Sequence, residues 1–173
     1  MSKKASFLIV CIFSCSALWA ETETRLSVGP AYFFGFTNGE STRECTYGIN
    51  AKGSIFVNSF PLGAYMNVSE FFASGAVMLA IGPAFQFELS EMFKIFTGIG
   101  FNMSTPDYNY SAERKIKFPH DTSWGISICA ALHIQFTEHF FAELGANAEY
   151  GFTGYVEPNA RPFVALGFSK NIG

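Results

Sequence analysis

Apolar residues recur at every second position over most of this chain. The stretch from Leu79 to Phe101 shows the pattern best, with two alternating arms on either side of Leu89-Ser90-Glu91. A period of two is the period of a β-strand, in which successive side chains point to opposite faces. The stretch therefore predicts a hairpin with one apolar face and one small or polar face.

The same hairpin recurs 47 positions downstream, between Ile126 and Ala148. Leu89-Ser90-Glu91 corresponds to Phe136-Thr137-Glu138, and the apolar positions keep their parity on both arms. A unit that returns with its turn and its facing intact predicts a sheet built by repeating one hairpin.

Alternation of this kind predicts eight strands in all. In chain order they cover residues 24–36, 47–58, 63–71, 79–89, 93–101, 123–136, 140–152 and 161–172. The links at 59–62, 89–91 and 137–139 are short, and those at 37–46, 72–75, 103–122 and 153–160 are mostly longer. Short turns at the periplasmic end and longer external loops are the habit of outer-membrane β-barrels.

The facing of the first hairpin also constrains its turn. Directly opposite residues of an antiparallel pair share a face, so placing Phe87 and Phe93 together on the apolar face requires an odd number of loop residues. A three-residue loop, Leu89-Ser90-Glu91, satisfies this condition and pairs Gln86 with Lys94 on the polar face.

The first twenty residues differ from the rest. A positive start at Lys3 and Lys4 is followed by an apolar run and then by mostly small residues. This order is typical of a secretory signal peptide, and the apolar run is too short to span a bilayer. We place cleavage after Ala20, with cleavage after Ala17 as the alternative.

The remainder, residues 21–173, has the length of a single domain. The chain is 49% hydrophobic, 17% aromatic and only 14% charged, whereas a soluble domain is about 25% charged. Without Lys3 and Lys4, the 11 basic residues become 9 against 14 acidic ones, and a net charge of −5 argues against nucleic acid as a partner. An exported, apolar chain without a spanning helix meets lipid as a closed sheet, because lipid tolerates no unpaired backbone groups.

The cysteines add little to this picture. Cys15 follows a sequence that matches a lipoprotein cleavage box only in part, so lipidation stays open as an alternative. Cys45 lies in a predicted loop and Cys129 in a strand interior, settings that do not favour a disulfide between them. Neither has His or Cys neighbours at zinc-ligand spacing, and we expect neither a metal nor a cofactor.

The charged residues fall on the polar face of the strands, and their cost decides which face is inside. A lipid-facing Lys or Glu at mid-depth costs about 2–4 kcal/mol, so the polar face should line the interior. A secreted lipocalin would invert this arrangement around an apolar ligand cavity. The expected interior polar network consists of Lys52, Gln86, Glu88, Lys94, His133, Glu143 and Glu149, with the amides Asn50, Gln135 and Asn147.

The signal peptide, the alternating segments, the repeated motifs VGPAYFF and IGPAFQF and the turns LSEMF and FTEHF together carry a resemblance. The mature chain resembles the small outer-membrane β-barrels that include OmpX, OmpW and the OmpA transmembrane domain. The resemblance implies an all-β, eight-stranded antiparallel transmembrane barrel in the outer membrane, in contact with its lipid. It also implies insertion by the barrel-assembly machinery, although this chain ends in Gly173 rather than an aromatic residue, so Phe168 or Ile172 would serve as the assembly signal.

Side chains just fill the interior of an eight-stranded barrel, so the inward charges predict a plug. A sharper alternative is an enzyme built on His133 and Glu143. If Ala131 pairs with Glu143, His133 lies opposite Phe141 and diagonal to Glu143, within about 7–8 Å. Small-barrel lipid A deacylases and palmitoyl transferases carry their His and Ser at the outer rim instead, and no segment here resembles theirs. We therefore expect no catalytic residue.

The external loops are the remaining place for function. In the loop at 103–122 a basic cluster and two tyrosines suit an anionic headgroup or a sulfated host glycan. The residues concerned are Tyr108, Tyr110, Arg114, Lys115 and Lys117. The expected function is non-enzymatic, either structural or loop-mediated recognition of a host or envelope ligand. The alternatives are a narrow pore for small hydrophobic molecules, as the OmpW resemblance implies, and a lipid-modifying enzyme.

Overall fold

The computed structural model describes residues 22–37, 40–41, 46–57, 60–72, 77–104, 123–152 and 159–172. These residues form eight long strands: β1 (Thr22–Thr37), β2 (Thr46–Val57), β3 (Leu62–Phe71), β4 (Val77–Glu88), β5 (Phe93–Ser104), β6 (Ser123–Gln135), β7 (Phe140–Gly151) and β8 (Asn159–Ile172). A further two-residue strand, Glu40–Ser41, pairs with the end of β1.

Each long strand pairs antiparallel with its neighbours in sequence, and β1 also pairs with β8. This last pairing closes the sheet into a barrel, so the inner strands leave no free edge. The predicted eight-stranded antiparallel barrel is confirmed. No helix in the described part of the chain is long and apolar enough to cross a membrane.

Apolar side chains lie on the outer face of the sheet, and polar side chains lie on the inner face. On the outer face Leu26, Ile128 and Leu166 are more than half exposed, at 64%, 52% and 69%. On the inner face Asn50 and Lys52 are buried. A lipocalin-like arrangement with an apolar interior is therefore excluded, and the apolar outer band suits lipid.

The turn between β4 and β5 is held by a hydroxyl group. The backbone N–H groups of Leu89 and Ser90 both donate to the carbonyl oxygen of Phe93, at 2.9 and 3.1 Å. In return the N–H of Phe93 donates to Ser90 Oγ at 3.1 Å. Leu89 is thus the last residue of its arm, and the loop is formed by residues 90–92.

The same bonds recur in the turn between β6 and β7. The N–H groups of Phe136 and Thr137 donate to the Phe140 carbonyl oxygen at 3.0 and 3.2 Å, and the N–H of Phe140 donates to Thr137 Oγ1 at 3.1 Å. The sequence repeat is therefore a structural repeat, in which Ser or Thr at the first loop position caps the returning strand.

The turn between β4 and β5 corrects the predicted register. Lys94 pairs with Glu88, and Gln86 pairs with Phe96, so the expected pairing of Gln86 with Lys94 is wrong by two residues. The loop begins and ends one residue later than predicted. A slip of two residues leaves every side chain on its own face, and for this reason the predicted faces survive.

Aromatic rings fill much of the interior. Tyr65 is buried, and its ring centroid lies 5.7 Å from that of Phe96. Its ring occupies the space left by Gly98, where an added Cβ would lie 2.6 Å from Tyr65 Cε1. Close approach of this kind is the reason that glycine is needed opposite a large ring.

Some expectations concern residues outside the described part of the chain. The signal peptide at 1–20, Cys15 and Cys45 are among them. Cys129 is a free thiol and is fully buried on the inner face of β6.

Candidate functional site

Glu143 is the centre of a polar cluster in the middle of the barrel. This side chain is 1% exposed, and its carboxylate accepts hydrogen bonds from Ser27 Oγ and Lys52 Nζ, both at 2.8 Å. Ser27 lies on β1, Lys52 on β2 and Glu143 on β7. Because β2 and β7 are not neighbours in the sheet, the ion pair crosses the lumen.

The ammonium group of Lys52 is also enclosed by aromatic rings. Lys52 Nζ lies 3.8 Å from the centroid of Phe96 and 5.8 Å from that of Phe163. A cation over a ring face gains about 2 kcal/mol when both are desolvated. The ring contacts and the ion pair together fix the position of Lys52 across the barrel.

His133 lies beside this cluster, but not where the assumed register placed it. It pairs directly with Glu143, so the pairing of Ala131 with Glu143 is wrong, again by two residues. His133 Nδ1 is 3.6 Å from Glu143 Oε1, too long for a hydrogen bond. Its Nε2 lies 2.7 Å from Gln135 Oε1, and its ring is 4.2 Å from that of Phe141.

Ser27 Oγ is bonded to Glu143 and not to His133, the base that the enzyme alternative would use. An activated serine needs a hydrogen bond from its hydroxyl to the base. Ser27 Oγ instead donates to Glu143, which is a buried carboxylate already paired with Lys52. Among the described residues no group of three or more His, Cys, Asp or Glu side chains is placed to hold a metal ion.

A second ion pair joins Arg161 of β8 to Glu149 of β7, and both side chains are buried. The predicted interior network contains Glu149 but not Arg161. The signal was present, because Arg161 shares the parity of the inward residues Phe163 and Ala165 on the same strand. With Arg161 inside, Glu149 needs no partner from Lys52 or Lys94.

The third cluster lies at the end of the barrel that carries the short turns. Arg25 donates from Nε and Nη2 to the two carboxylate oxygens of Glu23, at 2.7 and 2.6 Å, and its guanidinium lies 5.2 Å from the Phe56 ring centroid. Lys94 Nζ lies 2.9 Å from Glu88 Oε1 and 4.0 Å from Glu23 Oε2. The sequence analysis missed Arg25 and Glu23, although Arg25 shares the parity of Ser27.

Glu88 and Gln86 lie closer to the end of the barrel than expected. The side chain of Glu88 is 67% exposed, because the residue is the last of β4 and its side chain reaches the rim. Both residues border an open cavity of about 930 Å³ at the short-turn end. The remaining lining residues are Glu23, Phe56, Val57, Phe60, Pro61, Phe87, Lys94, Gln135, Glu138, His139, Lys170 and Asn171.

A barrel of similar fold also occurs in solved structures. The barrel of Ail, the attachment invasion locus protein of Yersinia pestis, crystallised with the heparin analogue sucrose octasulfate, superposes with a TM-score of 0.58 at 15% identity, covering 87% of this chain and 99% of Ail. The N-terminal barrel domain of Pseudomonas aeruginosa OprF also has a TM-score of 0.58, at 14% identity, covering 86% of this chain and 97% of that domain. The chain has the outer-membrane β-barrel fold.

Neisserial surface protein A has the same barrel fold, with a TM-score of 0.56 at 12% identity over 84% of this chain and 95% of that protein. No family model matches this chain, and no curated protein matches its sequence. Identities this low establish the fold alone, and a fold does not fix a function.

The expected recognition residues lie outside the described part of the chain. They are Tyr108, Tyr110, Arg114, Lys115 and Lys117, in the segment that connects β5 to β6. The segment begins after Ser104, at the barrel end opposite the short turns.

Proposed function

We propose that this protein is a non-enzymatic outer-membrane barrel, closed to solute flow by its own side chains and acting through its external loops. The short turns then face the periplasm and the long connections face outward. The observation that carries the proposal is the Lys52–Glu143 ion pair, which crosses the lumen between aromatic rings. Its partners are the membrane lipid, the barrel-assembly machinery during insertion and a ligand at the loops.

The strength of the plug follows from the burial of both charges. Separating a buried ion pair leaves two uncompensated charges, and breaking one by mutation costs about 3–5 kcal/mol. If displacement of Lys52 costs a similar amount, the open state is populated at about one part in 10² to 10⁴. The Arg161–Glu149 pair adds a second obstruction.

Planar-bilayer recording tests the plug. We expect purified, refolded protein to show no steady conductance, with brief openings at most. A Lys52→Ala/Glu143→Ala double variant removes both halves of the central pair and should increase the open time. Steady conductance of the unmodified protein would instead support the alternative of a pore.

Loop recognition rests on the basic cluster formed by Arg114, Lys115 and Lys117. Ail, one of the similar barrels, was crystallised with a heparin analogue, and a cluster of cations beside Tyr108 and Tyr110 is chemically suited to a sulfated glycan. We propose that the loop at 105–122 binds such a glycan at the cell surface.

Binding of the refolded protein to immobilised heparin tests this role. Replacing the three basic residues by Gln should remove most of the binding, and binding should weaken as salt rises, because the contact is between exposed charges. Arg43→Gln/Lys170→Gln serves as the control, since it removes basic residues elsewhere. Equal binding by the triple variant and the control would refute loop recognition by this cluster.

A further inference from the structure

An apolar groove of about 620 Å³ runs along the outer surface where β3, β2, β1, β8 and the first residue of β7 lie side by side. Its walls are formed by large side chains and its floor by small ones on β2. The wall residues are Leu26, Val28, Met66, Val68, Phe140, Leu166 and Phe168, and the floor residues are Ala51 and Gly53. Ser27 and Lys52 also lie beside the groove, but their side chains are buried in the barrel interior.

The groove exists because β2 lacks large outward side chains at this level. Gly53 pairs with Leu26 on one side and with Met66 on the other. A Cβ added at Gly53 would meet only Leu26 Cδ2, at 3.4 Å. Unlike Gly98, Gly53 is therefore not required by a close contact, and its missing side chain leaves space on the lipid-facing wall.

The groove lies in the half of the barrel nearer the short turns. Leu26 is four residues from the first residue of β1 and eleven from its last. Phe140 is the first residue of β7, and its ring lies 5.7 Å from that of Phe168. Aromatic residues at strand ends form the girdles of outer-membrane barrels, so the groove begins at the girdle and runs toward the bilayer centre.

We propose that this groove binds one acyl chain of a phospholipid from the periplasmic leaflet. The proposal rests on the membrane placement proposed above. The groove is continuous with the lipid-facing surface, and its apolar lining offers a chain more hydrocarbon contacts than a flat wall does. A lipid A chain enters from the opposite leaflet and would have to pass the bilayer centre to reach it.

The position of Lys170 favours a phospholipid with an anionic headgroup. Lys170 is exposed and lies two residues beyond Phe168, about 7 Å farther toward the periplasmic rim. An ammonium group at this height can contact the phosphate of a lipid whose chain lies in the groove. Lys170 has the outward parity of Phe168 and stands at the rim, where it also borders the cavity at the short-turn end, so acyl contact and headgroup contact line up along β8.

Native mass spectrometry of the mature protein tests the proposal. The protein is refolded into vesicles of phosphatidylethanolamine and phosphatidylglycerol with added lipopolysaccharide, and then transferred to a mild detergent. We expect one retained phospholipid per barrel. Gly53→Leu, which fills the floor, should lower the retained fraction at least three-fold, and Lys170→Gln should lower phosphatidylglycerol retention about five-fold.

Ala130→Leu is the matched control, because it adds similar bulk on the lipid-facing surface of β6, outside the groove. Ala51→Leu fills the same floor and replaces Gly53→Leu if that variant fails to fold. Equal retention by the filled variants and the control would overturn the proposal. Retention of lipopolysaccharide instead, or a dimer that is lost on filling the groove, would also overturn it.

The failures of the two proposals are distinguishable in the same samples. If the unmodified protein neither floats with vesicles nor changes its gel mobility on boiling, the membrane placement fails and the lipid site fails with it. If it floats and shifts but retains no phospholipid, only the lipid site is refuted.

Discussion

Replacement of Lys52 by Met gives the most direct test of the barrel interior. The substitution preserves much of the side-chain volume but leaves Glu143, 1% exposed, without its cation. Ser27 Oγ remains as a hydrogen-bond donor at 2.8 Å, which is too little to offset a buried carboxylate. Breaking a buried pair on one side costs about 3–5 kcal/mol, and we expect Lys52→Met to lower the free energy of unfolding by that amount.

The double variant Lys52→Met/Glu143→Leu separates the pair energy from the cost of an orphaned charge. With both charges gone, apolar replacements of similar volume are often neutral or stabilising by about 1–4 kcal/mol. The double variant should therefore be more stable than Lys52→Met. Lys170→Met, at the exposed rim, is the control and should change stability by less than about 0.5 kcal/mol.

Urea unfolding in lipid vesicles measures these differences, with Trp124 fluorescence and gel mobility as two independent observations of the folded barrel. The reasoning is refuted if Lys52→Met changes the unfolding free energy no more than Lys170→Met does. Such a result would mean that water reaches Glu143 and that the centre of the barrel is not closed.

Three further predictions use the same unfolding assay. Gly98→Val forces side-chain atoms against the Tyr65 ring, 2.6 Å from the position of the new Cβ, and should destabilise by about 1–3 kcal/mol, whereas Gly53→Ala should be nearly neutral. Ser90→Ala removes the acceptor for the Phe93 N–H and should cost about 0.5–1.5 kcal/mol, with Ser90→Thr as the conservative control; an unchanged Ser90→Ala would show that the hydroxyl is dispensable. Glu88→Gln, at a side chain 67% exposed, should change stability by at most about 1 kcal/mol, and a larger loss would place Glu88 inside the network.

Strand positions and facing were predictable because both depend only on the parity of apolar residues. Register was not, since a period of two leaves a slip of two residues undetected. The contacts that fix the register lie in the turns and include the hydrogen bonds from the N–H of Phe93 to Ser90 Oγ and from that of Phe140 to Thr137 Oγ1. The recurrence of a hydroxyl residue before Glu in both turns was the available clue.

The interior pairs were harder to predict than the interior residues. Lys52 and Glu143 are 91 residues apart, and they meet only because closure brings β2 and β7 to opposite sides of one lumen. The inward facing of Arg161 and Arg25 could be predicted without knowing how the barrel closes, because parity places both side chains inside. Both lie close to strand ends, before the run of alternating apolar residues begins, and the predicted network therefore does not contain them.

The β1–β8 pairing also sets an order of events during insertion. It joins Thr22 to Ile172, 150 positions apart, whereas each tight hairpin joins residues four apart. Loop closure over the longer span costs about 3 kcal/mol more, so local hairpins should form first and the closing seam last. Changes in β8 should therefore slow the final step of membrane insertion more than equal changes in β4 or β5.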